Sequence, residues 1–305
     1  MFVIKYRKIF YTFSAIIFAA AFYGLFTYGL KLGIDFNGGV IVDMNYTTAP
    51  DTEKINQALA QLNVGDYSLR ASGSNDVILR TRNLTDAERN SVLTALSLGG
   101  ENSTVKTFDS VGPILGAELQ KKSMYAIILV ILAIVAFITF AFRHVSKPVS
   151  SWKYGIVAII ALIHDVLIPV GFFTFLGHFY GVEADSLFVT AILVVLGFSV
   201  HDTIVVFDRT RENLRINESE KTRKEFDQIV GESVSQTFIR SINTSLTVVI
   251  ALLVLYFTGP ASTKDFSLAL LVGIIAGTYS SIFIGSPLLV TLQKFSAKRA
   301  LTKKK

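Results

Sequence analysis

Apolar residues gather into six runs near the roughly 20 residues needed to cross about 30 Å of hydrocarbon. They extend from Ile9 to Leu30, Tyr125 to Phe142, Gly155 to Leu176, Leu187 to Phe207, Ile242 to Thr258 and Phe266 to Leu292, and each predicts a membrane-spanning helix. The first follows Lys5, Arg7 and Lys8 in the manner of a signal peptide. Its apolar stretch exceeds the roughly 7–15 residues of a cleavable core, so it reads as a retained anchor despite Ala19-Ala20-Ala21.

Between the first two runs, from Lys31 to Lys122, the pattern changes. Val40-Ile41-Val42 is β-branched, Thr52 to about Leu62 has helical spacing, and Tyr67 to Ala71 and Val77 to Thr81 predict short strands. A second helix opens with Thr85 and Glu88 at capping-box spacing, and a strand follows from Thr104 to Phe108. The order β-α-β-β-α-β is the split βαβ arrangement of a ferredoxin-like fold, and about ninety residues can bury a modest core. Between the fourth and fifth runs, Phe226, Ile229, Val230, Val234 and Phe238 recur at helical spacing, which predicts an amphipathic cytosolic helix lying on the membrane surface rather than binding a partner.

Composition agrees with a polytopic α-helical membrane protein carrying one α+β domain: of 305 residues, 51% are hydrophobic and 17% charged. The absence of cysteine excludes disulfides, thiolate zinc sites, thiolate-held iron–sulfur clusters and cysteine nucleophiles. A net charge of +6 on a soluble chain would suggest nucleic acid. Here the basic residues follow topology. Arg143, Lys147 and Lys153 come after the second run, and Arg209, Arg211, Arg215, Lys221, Arg223 and Lys224 after the fourth. Gly177 to Ser186 has no Lys or Arg, and Gly259 to Asp265 has only Lys264. The positive-inside tendency then places both termini in the cytosol, with the tail Lys303-Lys304-Lys305, and the 31–122 segment on the external side of the membrane. Nucleic-acid binding is dropped. The expected organisation is a cytosolic N-terminus and first span (1–32), an external α+β domain (33–122), a five-helix bundle (123–293) with a cytosolic loop (208–240), and a basic cytosolic tail (294–305).

Charged residues inside the runs are the candidate chemistry. An ionised carboxylate at the bilayer centre costs roughly 2.5–3.5 kcal/mol on insertion scales, so such groups usually face a bundle interior and carry function. Asp165 follows His164 in the third run, and Asp202 follows His201 in the fourth. Each acid–imidazole pair suits proton uptake and release. The competing reading is helix-to-helix glue, worth on average about 0.6 kcal/mol per hydrogen bond, less than the insertion cost. For Asp165 the two readings stay balanced, because Pro169 marks a kink that polar groups would support. Asp208 and Arg209 read as an interfacial capping and ion-pair cluster. Arg240 either turns inward as a counter-charge to Asp202 or snorkels to the surface. Asp265 is either an external proton-entry residue or a solvated loop carboxylate. Gly273, Gly277, Ser280, Ser281 and Gly285 line the last run at near-helical spacing and are explained by close packing alone.

Other chemistries fit poorly. An intramembrane aspartyl protease would show YD and GxGD, whereas the aspartates sit in LIHDV and SVHDT; a metal-dependent phosphohydrolase needs more His and Asp ligands than four histidines allow; and no P-loop or GxGxxG follows a strand. No enzyme activity, metal or cofactor is expected.

Several segments together resemble one family. Gly33-Ile34-Asp35-Phe36-Asn37-Gly38-Gly39 is similar to a GxDFxGG signature, and Val111-Gly112-Pro113 with Gly116 and Glu118-Leu119 to VGPxxGxEL. Asp202-Thr203-Ile204-Val205-Val206-Phe207-Asp208-Arg209 with Arg211-Glu212-Asn213 resembles NDTIVVFDRIREN. These signatures, with Arg240 and Thr244-Ser245, then Gly259-Pro260 and Phe266-Ser267-Leu268, are those of the SecF side of the SecD/SecF protein-export family, within the resistance-nodulation-division superfamily. The resemblance implies an auxiliary subunit that, with SecD and the SecY/SecE/SecG channel, uses a proton gradient, or a sodium gradient, to promote late translocation of unfolded polypeptide. It also implies a relay of Asp202, Arg240 and Asp265. His201 stands where the family often has Asn and adds a second candidate proton site beside Asp202. A half-transporter for small amphiphiles and a passive scaffold are the alternatives.

Overall fold

The computed structural model describes residues 2–62, 64–65, 67–100, 102–142, 151–222 and 224–302. Arg143, Lys147, Arg223, Lys303, Lys304 and Lys305, used above to orient the chain, lie outside the described residues. The chain divides into two compact units. One comprises Met1–Lys31, Ala126–Val182 and Leu187–Lys305, and the other Leu32–Tyr125 with Glu183–Ser186.

Among the described residues of the second unit, four strands form one antiparallel sheet: β1 (Gly39–Asn45), β2 (Tyr67–Ser72), β3 (Asp76–Thr81) and β4 (Thr104–Val111), in the order β2-β3-β1-β4. This is the split βαβ order expected. Val40, Val42 and Met44 alternate onto one face of β1 and are buried with Val77 and Leu79 of β3. Two helices cover that face. Thr52–Gln61 contributes Ile55 and Leu59, and Asp86–Ser97 contributes Val92, Ala95 and Leu96. Each helix starts where a side chain accepts from a free backbone N–H: Asp51 from Lys54, and Thr85 from Glu88 in a complete capping box. The Tyr46 hydroxyl, buried in the core, donates to the Leu96 carbonyl at 2.7 Å.

Among the described residues, six helices are long and apolar enough to cross a membrane. They are Arg7–Tyr28, Pro113–Ala141, Ser151–Tyr180, Ser186–Ser219, Phe226–Thr258 and a composite sixth of Ala261–Ser280, a π-helical turn Ser281–Gly285, and Ser286–Thr302. The third helix continues through Pro169. In the first unit the third, fourth and sixth helices form the centre, while the fifth presents Ile239, Ile242, Leu246, Ile250, Val254 and Phe257 outward. Packing is close where glycine permits it. A Cβ on Gly273 would lie 2.3 Å from Val195 Cγ2, and one on Gly277 would lie 3.0 Å from Ser199 Cβ.

Two expectations need correction. The segment from Phe226 to Phe238 is no separate surface helix but the first half of the fifth helix. Its apolar face is occupied: Val230 and Val234 are buried with Val3, Ile4, Val206, Ile282 and Val290 of the same unit. Asp208 and Arg209 close no helix, because the fourth continues to Ser219. Arg209 donates to Glu212 at 2.5 Å and to Gln236 at 2.6 Å, and Arg211 pairs with Asp208 at 2.8 Å. The ion-pair part of that expectation holds and the capping part does not. Arg209, Arg211, Glu212 and Arg215 after Phe207 are good helix formers, and the i,i+3 pairs Arg209–Glu212 and Asp208–Arg211 support them, so the helix outlasts its apolar stretch.

Candidate functional site

The helices bring the two membrane aspartates into different settings. Asp165, fully buried, is held from three sides. His164 Nδ1 lies 3.0 Å from Oδ1, Ser280 Oγ of the sixth helix donates to Oδ2 at 2.7 Å, and Ser199 Oγ of the fourth donates to the same oxygen. Gly277, one turn before Ser280, lets the sixth helix approach Ser199 closely. The stripe of small residues in the sixth helix is therefore more than packing, since Ser280 carries a hydrogen bond to a buried acid. Directly after it the helix widens into the π turn Ser281–Gly285, a feature frequent at functional sites.

Asp202, one turn beyond Ser199, is 2% exposed but loosely held. Ser245 Oγ of the fifth helix stands 3.5 Å away, at the limit for a hydrogen bond, and His201 Nδ1 lies 3.8 Å from Oδ1. The Ser245 hydroxyl has one proton and better partners: the Ser241 carbonyl at 2.9 Å and Thr278 Oγ1 of the sixth helix at 2.5 Å. Among the described residues, the buried hydroxyl of Ser241, one turn earlier, and His164 Nε2 have no hydrogen-bond partner. The His201 side chain is 60% exposed and turned out of the unit. Beside Ser245 and Thr278, a mostly apolar cleft of about 310 Å³ opens between the fifth and sixth helices, bounded also by Ile242, Leu246 and Tyr279.

The other expected relay residues stand apart. Arg240 is exposed, five residues before Ser245 on the fifth helix. Asp265 is half-buried near the start of the sixth helix. The helical rise of roughly 1.5 Å per residue puts it about 20 Å along the axis from Thr278. Ser199, Ser245, Thr278 and Ser280 were missed as site residues, because hydroxyls in apolar runs give no signal of their own until a carboxylate is seen to face them.

The glycine-rich signatures meet in the second unit. Gly38 and Gly39 have φ of 75° and 144°. A Cβ on Gly39 would sit 2.6 Å from the Thr81 carbonyl, so both close approach and backbone conformation require glycine. A Cβ on Gly116 would meet the Phe36 carbonyl at 2.8 Å, and one on Gly38 would meet Pro113 Cα at 2.9 Å, which seats the 33–39 segment against 111–116. Ile34 and Phe36 are buried, and Gly112 leads into the helix that Pro113 opens. Leu32 bridges in parallel to Ala184, the Gly33 N–H donates to the Ala184 carbonyl at 2.8 Å, and Asp35 Oδ2 accepts from the Ser186 N–H at 2.8 Å and from its hydroxyl. Arg80 of β3 pairs with Glu183 at 2.6 Å. Among the described residues, no group of three or more His, Cys, Asp or Glu is placed to hold a metal ion.

Known proteins share these features. Residues 92–295 match the family model described as protein export membrane protein SecD/SecF, C-terminal, and residues 23–50 match the SecD/SecF GG motif. The protein translocase subunit SecF of Thermobaculum terrenum is 44% identical over 301 residues, covering 95% of this chain and 93% of its own. That of Vibrio alginolyticus is 35% identical, covering 94% and 88%. A crystal structure of SecDF, a translocon-associated membrane protein from Thermus thermophilus, superimposes with a TM-score of 0.82 at 28% identity, covering 95% of this chain and 38% of that one. SecDF in a super-membrane-facing form gives 0.67 at 27% identity, covering 99% and 40%.

Proposed function

Because the chain belongs to the SecF family of protein translocase subunits, we propose that it promotes late movement of unfolded polypeptide across the cytoplasmic membrane, driven by protons passing Asp202. It is a multi-pass membrane protein, and its family places it in protein export. In this reading a SecD partner, the counterpart in the SecDF chains of which this chain spans about two fifths, completes the membrane part, and the pair serves the SecY/SecE/SecG channel. Both termini face the cytosol, and the α+β domain faces outward to handle the emerging chain.

The observation that carries this reading is the contrast between the two acids. Asp165 has three hydrogen-bond partners and needs no proton exchange to be tolerated, so it organises the third, fourth and sixth helices. Asp202 has one long hydrogen bond and sits where the fourth, fifth and sixth helices meet, beside a cleft. A buried carboxylate so poorly compensated is one whose charge state decides how its neighbours pack. Protonation removes the buried charge, frees the fifth helix, which carries Ser245, to shift relative to Thr278 of the sixth, and ends the attraction of Arg240 for the carboxylate. One charge crossing 100 mV supplies about 2.3 kcal/mol, enough to bias a two-state element by tens-fold. Arg240 and Asp265 serve the route as a cytosolic-side counter-charge and an external-side acid.

The test compares wild type with Asp202→Asn, at equal membrane abundance and with SecD present, by following unprocessed secretory precursor. Accumulation of precursor with the complex assembled is expected. Unchanged export makes Asp202 structural and leaves the chain a passive scaffold. Export that depends on sodium in the medium rather than on the pH gradient would replace the proton as coupling ion. A transported small amphiphile with normal precursor processing would favour the half-transporter.

A further inference from the structure

The second unit is tied to a piece of chain outside its own sequence, the four residues Glu183–Ser186. The tie is specific. The Gly33 N–H and Leu32 engage the Ala184 backbone, and Ala184 is 1% exposed. The Asp35 carboxylate accepts from both the N–H and the hydroxyl of Ser186. Arg80, next to the end of β3, reaches Glu183, whose side chain is only 11% exposed. Ser186 is also the first residue of the helix Ser186–Ser219, which carries Asp202 sixteen residues on. Asp35 therefore serves that helix as a capping acid supplied from elsewhere in the chain. It satisfies a free N–H and places negative charge at the positive end of the helix dipole.

We infer that Asp35, Arg80 and Glu183 form a latch through which the α+β domain follows the start of the Asp202 helix. The covalent connections of the domain run to the first and second membrane helices, neither of which carries the relay acid. The latch adds a third attachment, at the end of the one helix that does. A continuous helix transmits an axial shift or rotation over the roughly 24 Å between Asp202 and Ser186. The charge-assisted contacts hold at the outer end, where the domain's sheet begins. The three side chains are positioning residues: they touch neither proton nor polypeptide, but convert a local repacking into movement of the domain. The inference rests on the proposed proton-driven reading.

The test uses the full chain reconstituted with SecD and reads two quantities, precursor export and proton entry into vesicles. Asp35→Ala and Arg80→Glu are expected to reduce export to the level of Asp202→Asn while proton entry stays within about two-fold of wild type. Arg80→Glu combined with Glu183→Arg is expected to restore export, while the thermal midpoint of Arg80→Glu alone stays near wild type, which a folding defect would not permit. Export at wild-type level in Asp35→Ala and Arg80→Glu, with Asp202→Asn defective, overturns the latch and leaves the proposed function standing. Proton entry lost together with export, or no rescue by the reversed pair, also overturns it. Normal export in Asp202→Asn would instead remove the proton-driven reading itself.

Discussion

Two aspartates with the same sequence neighbour behave differently because of what faces them. Asp165 and Asp202 each follow a histidine, yet the former finds hydroxyls on two other helices, while the latter finds one hydroxyl already engaged elsewhere. The contrast makes a prediction for Asp165. Asp165→Leu deprives Ser199 Oγ, Ser280 Oγ and His164 Nδ1 of their acceptor, and each buried group left unsatisfied costs about 1–3 kcal/mol. Ser280 has a fallback in the Gly277 carbonyl at 3.1 Å, so the loss should fall short of three full penalties. Asp165→Asn keeps one acceptor oxygen and should lose far less. The thermal midpoint of the purified protein in detergent checks the order wild type, Asn, Leu. Asn and Leu variants equally destabilised would mean that the charge of Asp165, rather than its hydrogen bonds, holds the helices.

At the scale of elements, what was legible in the sequence was what local chemistry determines. The capping box at Thr85 and Glu88 and the alternation of Val40, Val42 and Met44 need only neighbours a few positions away, and both stand as read. The six apolar runs likewise became helices, but their ends did not follow hydropathy. The fourth passes Asp208 to Ser219, supported by i,i+3 ion pairs, and the fifth begins at Phe226, where Val230 and Val234 bury an apolar face. The capping box also yields a pH prediction. The Arg82 guanidinium, 2.5 Å from Glu88, together with the Thr85 N–H and hydroxyl, lowers the Glu88 carboxyl from its usual 4.5 to about 2. Since the folded value is the depressed one, this contribution is fully present above about pH 4.5 and is lost as pH falls toward about 2. Amide protection over residues 85–97 should therefore exceed that of Glu88→Gln at about pH 5, with the difference closing near pH 2. A difference that persists at about pH 2 would show that the carboxylate form is not what holds the turn.

For the whole molecule, the order of the spans was legible, whereas the hydroxyl partners of the two acids were not. Ser280 is 115 positions from Asp165, and Ser245 is 43 from Asp202, so no periodicity within one helix announces either pair. The same holds for Glu183–Ser186, which reads in sequence as part of a short connection lacking Lys and Arg and belongs in the structure to the α+β unit. Orientation is the remaining molecular-scale property, and the composition makes it directly measurable. With no native cysteine, every introduced thiol reports alone. Ser74, at the turn between β2 and β3, and Lys264, before the sixth apolar run, should lie outside; Glu218, at the end of the fourth helix, should lie inside with the basic residues around it. Ser74→Cys and Lys264→Cys are therefore expected to react with a membrane-impermeant maleimide in intact cells, and Glu218→Cys only after the membrane is opened. The reverse labelling would put the α+β domain and its latch on the cytosolic side, where no emerging polypeptide could reach them, and would make the direction of proton entry past Asp202 opposite to the one export requires.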